Sequence, residues 1–106
     1  MTRVAFKMAL KRGFEDEYYR RHNPIWQELE EVFIDHGVKS YSIFKDPESE
    51  YLFAYVEVTS KDLWLQIAST KTCRDWWHYM EPLMLVNEDK SPWATELQEV
   101  FHFEGG

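Results

Sequence analysis

The stretch YLFAYVEV, residues 51–58, constrains the fold more than any other. It alternates as a strand does, with Leu52, Ala54, Val56 and Val58 on one side and Tyr51, Phe53 and Tyr55 on the other. Both sides are apolar, so a sheet holding this strand needs cover on both faces. The stretch before it, VKSYSIFK (38–45), alternates too, and the connector DPESE has the chemistry of a hairpin turn. Residues 3–10, RVAFKMAL, place Val4, Phe6, Met8 and Leu10 opposite Arg3, Ala5, Lys7 and Ala9, and TELQEVFHF (95–103) reads as a last strand.

The segments between these strands have helical spacing. From Phe14 the apolar stripe runs through Tyr18, His22, Ile25 or Trp26, Leu29, Val32, Phe33 and His36, and Gly37 is a stop. Pro24 interrupts the stripe, because proline lacks the backbone donor and clashes with the preceding turn. Two helical segments are therefore expected, with Asn23 as N-cap and Pro24 at the first position of the second. Thr59 or Ser60 can cap a short helix, KDLWLQIAS. Another runs from about Thr72 to Met84 with Cys73, Trp76, Trp77, Met80, Leu83 and Met84 inward, and VNEDKSPW is a loop. The order β-α-β-β-α-β predicts an α+β, ferredoxin-like fold: a four-stranded antiparallel sheet with its helices on one face. The second apolar face then calls for a partner, and a two-fold homodimer packed sheet to sheet is the expected solution. The 106 residues are read as a single domain, 1–106, with a flexible tail at 104–106.

Charge and cysteine content narrow the partners. A net charge of −7 argues against nucleic acid and anionic membrane, and no apolar run approaches transmembrane length. The lone Cys73 excludes an internal disulfide and suits a reducing cytoplasm, and no secretory leader is evident. The histidines His22, His36, His78 and His102 show no metal-ligand spacing, and neither a GxGxxG nor a P-loop is present, so no metal or cofactor is expected.

The remaining question is what the aromatic residues do. Five tryptophans are many for so short a chain, and an indole N–H needs a partner in a core. Tyr18 and His22 are four apart, hence on one helix face, and that face is the apolar stripe. One reading of His22 is a core histidine held by a single hydrogen bond. The other is a pocket opened where Pro24 breaks the helix, walled by Trp76 and Trp77, with Tyr41 adding an inward hydroxyl if its strand keeps alternating. For Tyr41 and for the tryptophan pair, plain packing is the competing reading. Such a pocket suits a sugar: rings meet its C–H faces and polar groups meet its hydroxyls. Histidine, donor and acceptor near neutrality, can open and reclose a sugar ring. The charged run EDEYYRR (15–21) reads as a solvated face.

Three runs carry a resemblance. DEYYRRHNPIWQELEEV, ASTKTCRDWWHYM and TELQEVFHF are similar to the corresponding runs of the L-rhamnose mutarotase family, and the likeness extends over nearly the whole chain. It implies a cofactor-free, dimeric α+β barrel isomerase of cytoplasmic rhamnose catabolism that interconverts the α and β anomers of L-rhamnose. It implies His22 as proton donor, with Tyr18, Tyr41, Trp76 and Trp77 contacting the sugar. The chain departs from the family pattern at NEDKSP (87–92), where one proline is missing, and at Trp93, expected at the site mouth or a dimer edge. The competing functions are a cofactor-poor monooxygenase or haem-degrading enzyme on the same fold, and a non-catalytic sugar-binding module.

Overall fold

A computed structural model of the chain describes all 106 residues. Strands β1 (Thr2–Ala9), β2 (Val38–Lys45), β3 (Tyr51–Val58) and β4 (Ala94–Leu97) form one antiparallel sheet in the order β2-β3-β1-β4. The helices are α1 (Glu15–Arg21), α2 (Gln27–Asp35), α3 (Lys61–Gln66) and α4 (Lys71–Met80). The ferredoxin-like arrangement expected from the strand and helix order is the one observed.

Alternation decides which side of the sheet the helices cover. Leu52, Ala54, Val56 and Val58 are buried, and register brings Met8 opposite Leu52 and Val4 opposite Val56 on the same face. Against them pack Leu29 of α2, Trp76 and Met80 of α4, and Leu83 and Met84 just beyond. The other face keeps Tyr51 and Phe53 exposed, with Phe44 of β2 and Leu97 of β4. Trp93 belongs to this outer side, where its ring stacks on Tyr51 at 6.4 Å.

Three boundaries differ from expectation. Asn23 does not cap α2, and Pro24 is not in a helix. The Asn23–Pro24 bond is cis, and α2 starts at Gln27 after an extended Trp26. The Asn23 side chain instead donates back to the Tyr19 carbonyl at 2.7 Å. Helix α4 ends at Met80 and continues only as a 3-10 turn, Glu81–Leu83, because Pro82 has no donor to extend the ladder. Strand β4 stops at Leu97 instead of reaching 103. Leu97 lies opposite Ala5, so the residues that follow soon outrun the start of β1 at Thr2. The last contact across this gap is the Arg3–Glu99 ion pair at 2.8 Å, and Val100, Phe101 and Phe103 stand free at 91%, 80% and 75% exposure.

Two caps behave as their residue types dictate. The Ser60 hydroxyl accepts from Leu63 N–H and the Thr70 hydroxyl from Cys73 N–H, which starts α3 and α4. Gly37 ends the turn after α2 at φ +78, its carbonyl accepting from Thr59 N–H at 2.9 Å. A Cβ at this position would run into the Thr59 hydroxyl and lie 3.3 Å from Thr59 Cβ. Gly37→Ala is therefore expected to lower stability by about 1–3 kcal/mol through left-handed strain, before any clash is counted. Urea unfolding checks it; an unchanged midpoint would mean the turn relaxes freely.

Candidate active site

A cavity of about 1020 Å³ opens between the helices and the inner sheet face. Tyr18, His22, Tyr41, Trp76 and Trp77 all line it. Helix α1 supplies the first two from one face, β2 supplies Tyr41 through its inward alternation, and α4 supplies the tryptophans. The packing and pocket readings of these residues turn out to be compatible: Tyr18 and Trp76 are buried and border the cavity at once.

His22 closes α1, and its surroundings fix its chemistry. Its ring lies 4.2 Å from the Tyr18 ring and meets Trp76 edge-on at 5.2 Å. Trp26 in turn crosses Trp76 at 5.1 Å, so the wall behind the histidine is aromatic. The break at Pro24 matters here. The backbone N–H of His22 turns to the Tyr19 oxygen at 3.2 Å, and His22 Nδ1 takes the Tyr18 oxygen at 2.9 Å. A carbonyl only accepts, so Nδ1 carries the proton and Nε2 of the neutral ring keeps a lone pair. Burial pushes the His22 pKa below its ordinary value, opposed by the bond to the Tyr18 carbonyl. The ring is therefore neutral at pH 7.

His36 offers a useful contrast. Its Nδ1 lies 2.8 Å from the Val32 oxygen, the same arrangement at the end of α2, yet it does not line the cavity. The hydrogen bond alone makes no site; the cavity does.

Two hydroxyls complete the inner wall. Burial raises the pKa of Tyr18 and of Tyr41, and no hydrogen bond contributes to either shift. Both groups therefore stay protonated. Tyr41 is packed among Phe6, Phe33 and Trp64, deep in the fold but open to the cavity. The Cys73 thiol also borders the cavity, and burial pushes its pKa up to about 12, which makes it packing and not a nucleophile. No three His, Cys, Asp or Glu side chains come together as a metal-binding group.

Four charged residues on this wall, Glu15, Glu30, Lys45 and Glu96, were not singled out from the sequence. Lys45 lines the cavity because the alternation that turns Tyr41 and Ile43 inward continues to it, opposite Leu52. Glu15 lines it because it sits one turn before Tyr18. The expectation of a solvated face over 15–21 holds for Glu17, which binds both Arg20 and Arg21 and whose pKa falls to about 2. It fails for Glu15. Arg21 also leaves that face: it donates to the Tyr79 carbonyl at 2.5 Å and lies over the Tyr79 ring, tying the end of α1 to α4 beside His22.

With this geometry in place, the comparisons with known proteins decide the family. The sequence model of L-rhamnose mutarotase matches residues 3–103. The chain belongs to the L-rhamnose mutarotase family. The L-rhamnose mutarotase of Shigella flexneri serotype 5b is 49% identical over 102 residues, spanning 96% of this chain and 98% of that one. The crystal structure of an L-rhamnose mutarotase from Formosa agariphila superposes with a TM-score of 0.91 at 39% identity, covering 98% of this chain and 100% of the other. A dimeric ferredoxin-like protein from an uncultured marine organism shares the mutarotase architecture at a TM-score of 0.66 over 97% of both chains; at 12% identity the likeness is one of fold.

Proposed function

We infer that this chain is an isomerase that interconverts the α and β anomers of L-rhamnose, moving protons through His22 without a cofactor. The observation that carries this reading is the His22 ring, its Nδ1–H held by the Tyr18 carbonyl so that Nε2 is the acceptor, on the wall of one aromatic cavity that Tyr18 and Tyr41 also line. Nε2 takes the proton of the anomeric hydroxyl as the C1–O5 bond breaks; O5 takes the proton of the Tyr18 hydroxyl, and the imidazolium refills it, so both side chains are neutral beside the open aldehyde. The aldehyde turns about C1–C2. O5 then attacks the other face of C1, its proton passes through the Tyr18 hydroxyl to Nε2, and the imidazolium so formed protonates O1. His22 is thus base in opening and donor in closing, while Nδ1–H stays on the Tyr18 carbonyl throughout. Tyr18 serves as a proton relay, since its raised pKa prevents it from standing as tyrosinate. Trp76 and Trp77 face the C–H surfaces of the sugar, and Tyr41 offers a further hydroxyl.

The test is saturation transfer between the anomeric protons of L-rhamnose, with and without protein. Enzyme-dependent transfer is expected; its absence with rhamnose would sink the reading. The rate also has a predictable pH dependence. The ordinary histidine value is 6.5 and that of His22 is lower, so kcat/KM should fall on acidification with a midpoint below 6.5. The same shift affects stability. The unfolded chain binds this proton more readily, so the contribution of His22 is complete above pH 6.5 and is lost as pH falls toward its lower folded value. An acid limb above 6.5 would assign the titration to another group.

The protein is further read as a homodimer working in the cytoplasm. Exposed Tyr51, Phe53, Phe44 and Leu97 give the outer sheet face an apolar surface suited to a two-fold partner. Light scattering should report a dimer, and Phe53→Glu should yield monomers; a monomeric wild type would end this part of the proposal. The free, buried Cys73 suits a reducing compartment, which cell fractionation would check. No helix is long and apolar enough to cross a membrane.

A further inference from the structure

We propose that Glu15 and Lys45 form the distal end of the site, where they bind the sugar hydroxyls farthest from the anomeric carbon and so decide which sugar is accepted. The inference rests on the mutarotase reading of the cavity.

The cavity wall is uneven in character. Around His22 it is aromatic, whereas Glu15 and Lys45 bring opposite charges to the wall beyond Tyr18. Of the other two charged residues on the wall, Glu96 is engaged by Lys61 and Glu30 is exposed to solvent, whereas Glu15 and Lys45 are half-buried. The Lys45 ammonium is anchored by the carbonyls of Asp46, at 2.7 Å, and Ser49. An ammonium has three donors, so one remains. The Glu15 pKa lies below its ordinary value, chiefly through its own backbone N–H, with desolvation opposing and the charge of Lys45 assisting. A carboxylate that accepts and an ammonium with one donor to give, on the same cavity wall, match the vicinal hydroxyls of a sugar, each of which both donates and accepts.

The spacing also matches. Glu15 and His22 lie seven positions apart on one helix, which at about 1.5 Å per residue separates them by roughly 10 Å. A six-membered ring with a hydrogen bond of about 2.8 Å at either end fills that interval. With the anomeric carbon at Nε2 of His22, the hydroxyls on C3 and C4 point toward Glu15 and Lys45. A methyl group at C5 needs no polar partner and can lie against the aromatic wall.

The experiment compares wild type, Glu15→Gln and Lys45→Met by saturation transfer over a range of L-rhamnose concentrations, with urea midpoints verifying the fold. Both variants keep the volume of the original side chain. KM is expected to rise on the order of 10- to 100-fold in each, the loss falling mainly on KM because the contact is made in ground state and transition state alike. Rhamnose analogues lacking the C3 or C4 hydroxyl should show the same penalty with wild type and little further penalty with the variants. Wild-type KM in both variants, or a deoxy-sugar penalty that persists in full in them, would overturn the assignment while leaving mutarotation intact. A wild type that neither exchanges rhamnose nor binds it, read by a change in tryptophan fluorescence, would remove the mutarotase reading and this one with it.

Discussion

Replacing His22 by alanine should cut enzyme-dependent anomer exchange on the order of 100- to 10,000-fold, the range of a single general acid–base group. The fold should survive. The side chain is half-buried at a helix end and its only hydrogen bond runs to its own helix. What is lost structurally is the contact with the rings of Tyr18 and Trp76, about 0.5–1.5 kcal/mol per pair. Circular dichroism and urea midpoints separate that small loss from the kinetic one. The substitution also enlarges a cavity that already borders the site, so added imidazole should restore part of the activity by occupying the vacated position. Exchange at the wild-type rate in a folded His22→Ala protein would mean the protons move elsewhere, with the tyrosine hydroxyls next in line.

The largest stability effect is expected at Leu52. It lies on β3, between β2 and β1, is 2% exposed, and packs in the main core cluster with Met8, Leu29 and Met80. A strand paired on both edges cannot shift to close a void. Leu52→Ala should therefore cost about 2–5 kcal/mol, a large share of the roughly 5–15 kcal/mol available to a domain of this size. The adjacent residue provides the control. Phe53 faces outward and is 36% exposed, so Phe53→Ala should cost little in the isolated chain. In a homodimer its cost should instead depend on protein concentration. Urea titrations of both variants at two concentrations measure the difference. Equal, concentration-independent losses would mean that the outer face is not an interface.

Much of this was legible from residue order. Strict alternation located β1, β2 and β3 and assigned their faces, because a one-residue slip would turn Leu52 and Val56 outward. Helical spacing brought Tyr18 and His22 together. The errors arose where a boundary depended on a distant partner. Asn23-Pro24 reads locally as a cap and first turn, yet α2 begins only after Trp26 has packed on Trp76 and Tyr79. TELQEVFHF alternates well enough for a long strand, but whether 98–103 pairs depends on where β1 starts. Lys45 and Glu15 were overlooked for a different reason: charge suggested solvent, although the alternation through Tyr41 and Ile43, and the spacing back from His22, already pointed both inward.

The hydrogen bond between His22 Nδ1 and the Tyr18 oxygen has one more consequence. In many histidine-based sites a carboxylate side chain orients the ring, and one substitution can undo it. Here that task belongs to the main chain, which every substitution at position 18 retains. Tyr18→Phe would remove the proposed relay hydroxyl and leave the ring orientation untouched. The tautomer that the proposed mechanism needs is thus insulated from side-chain change around it and is exposed mainly to changes in the path of the backbone, of which Pro24 is the nearest determinant.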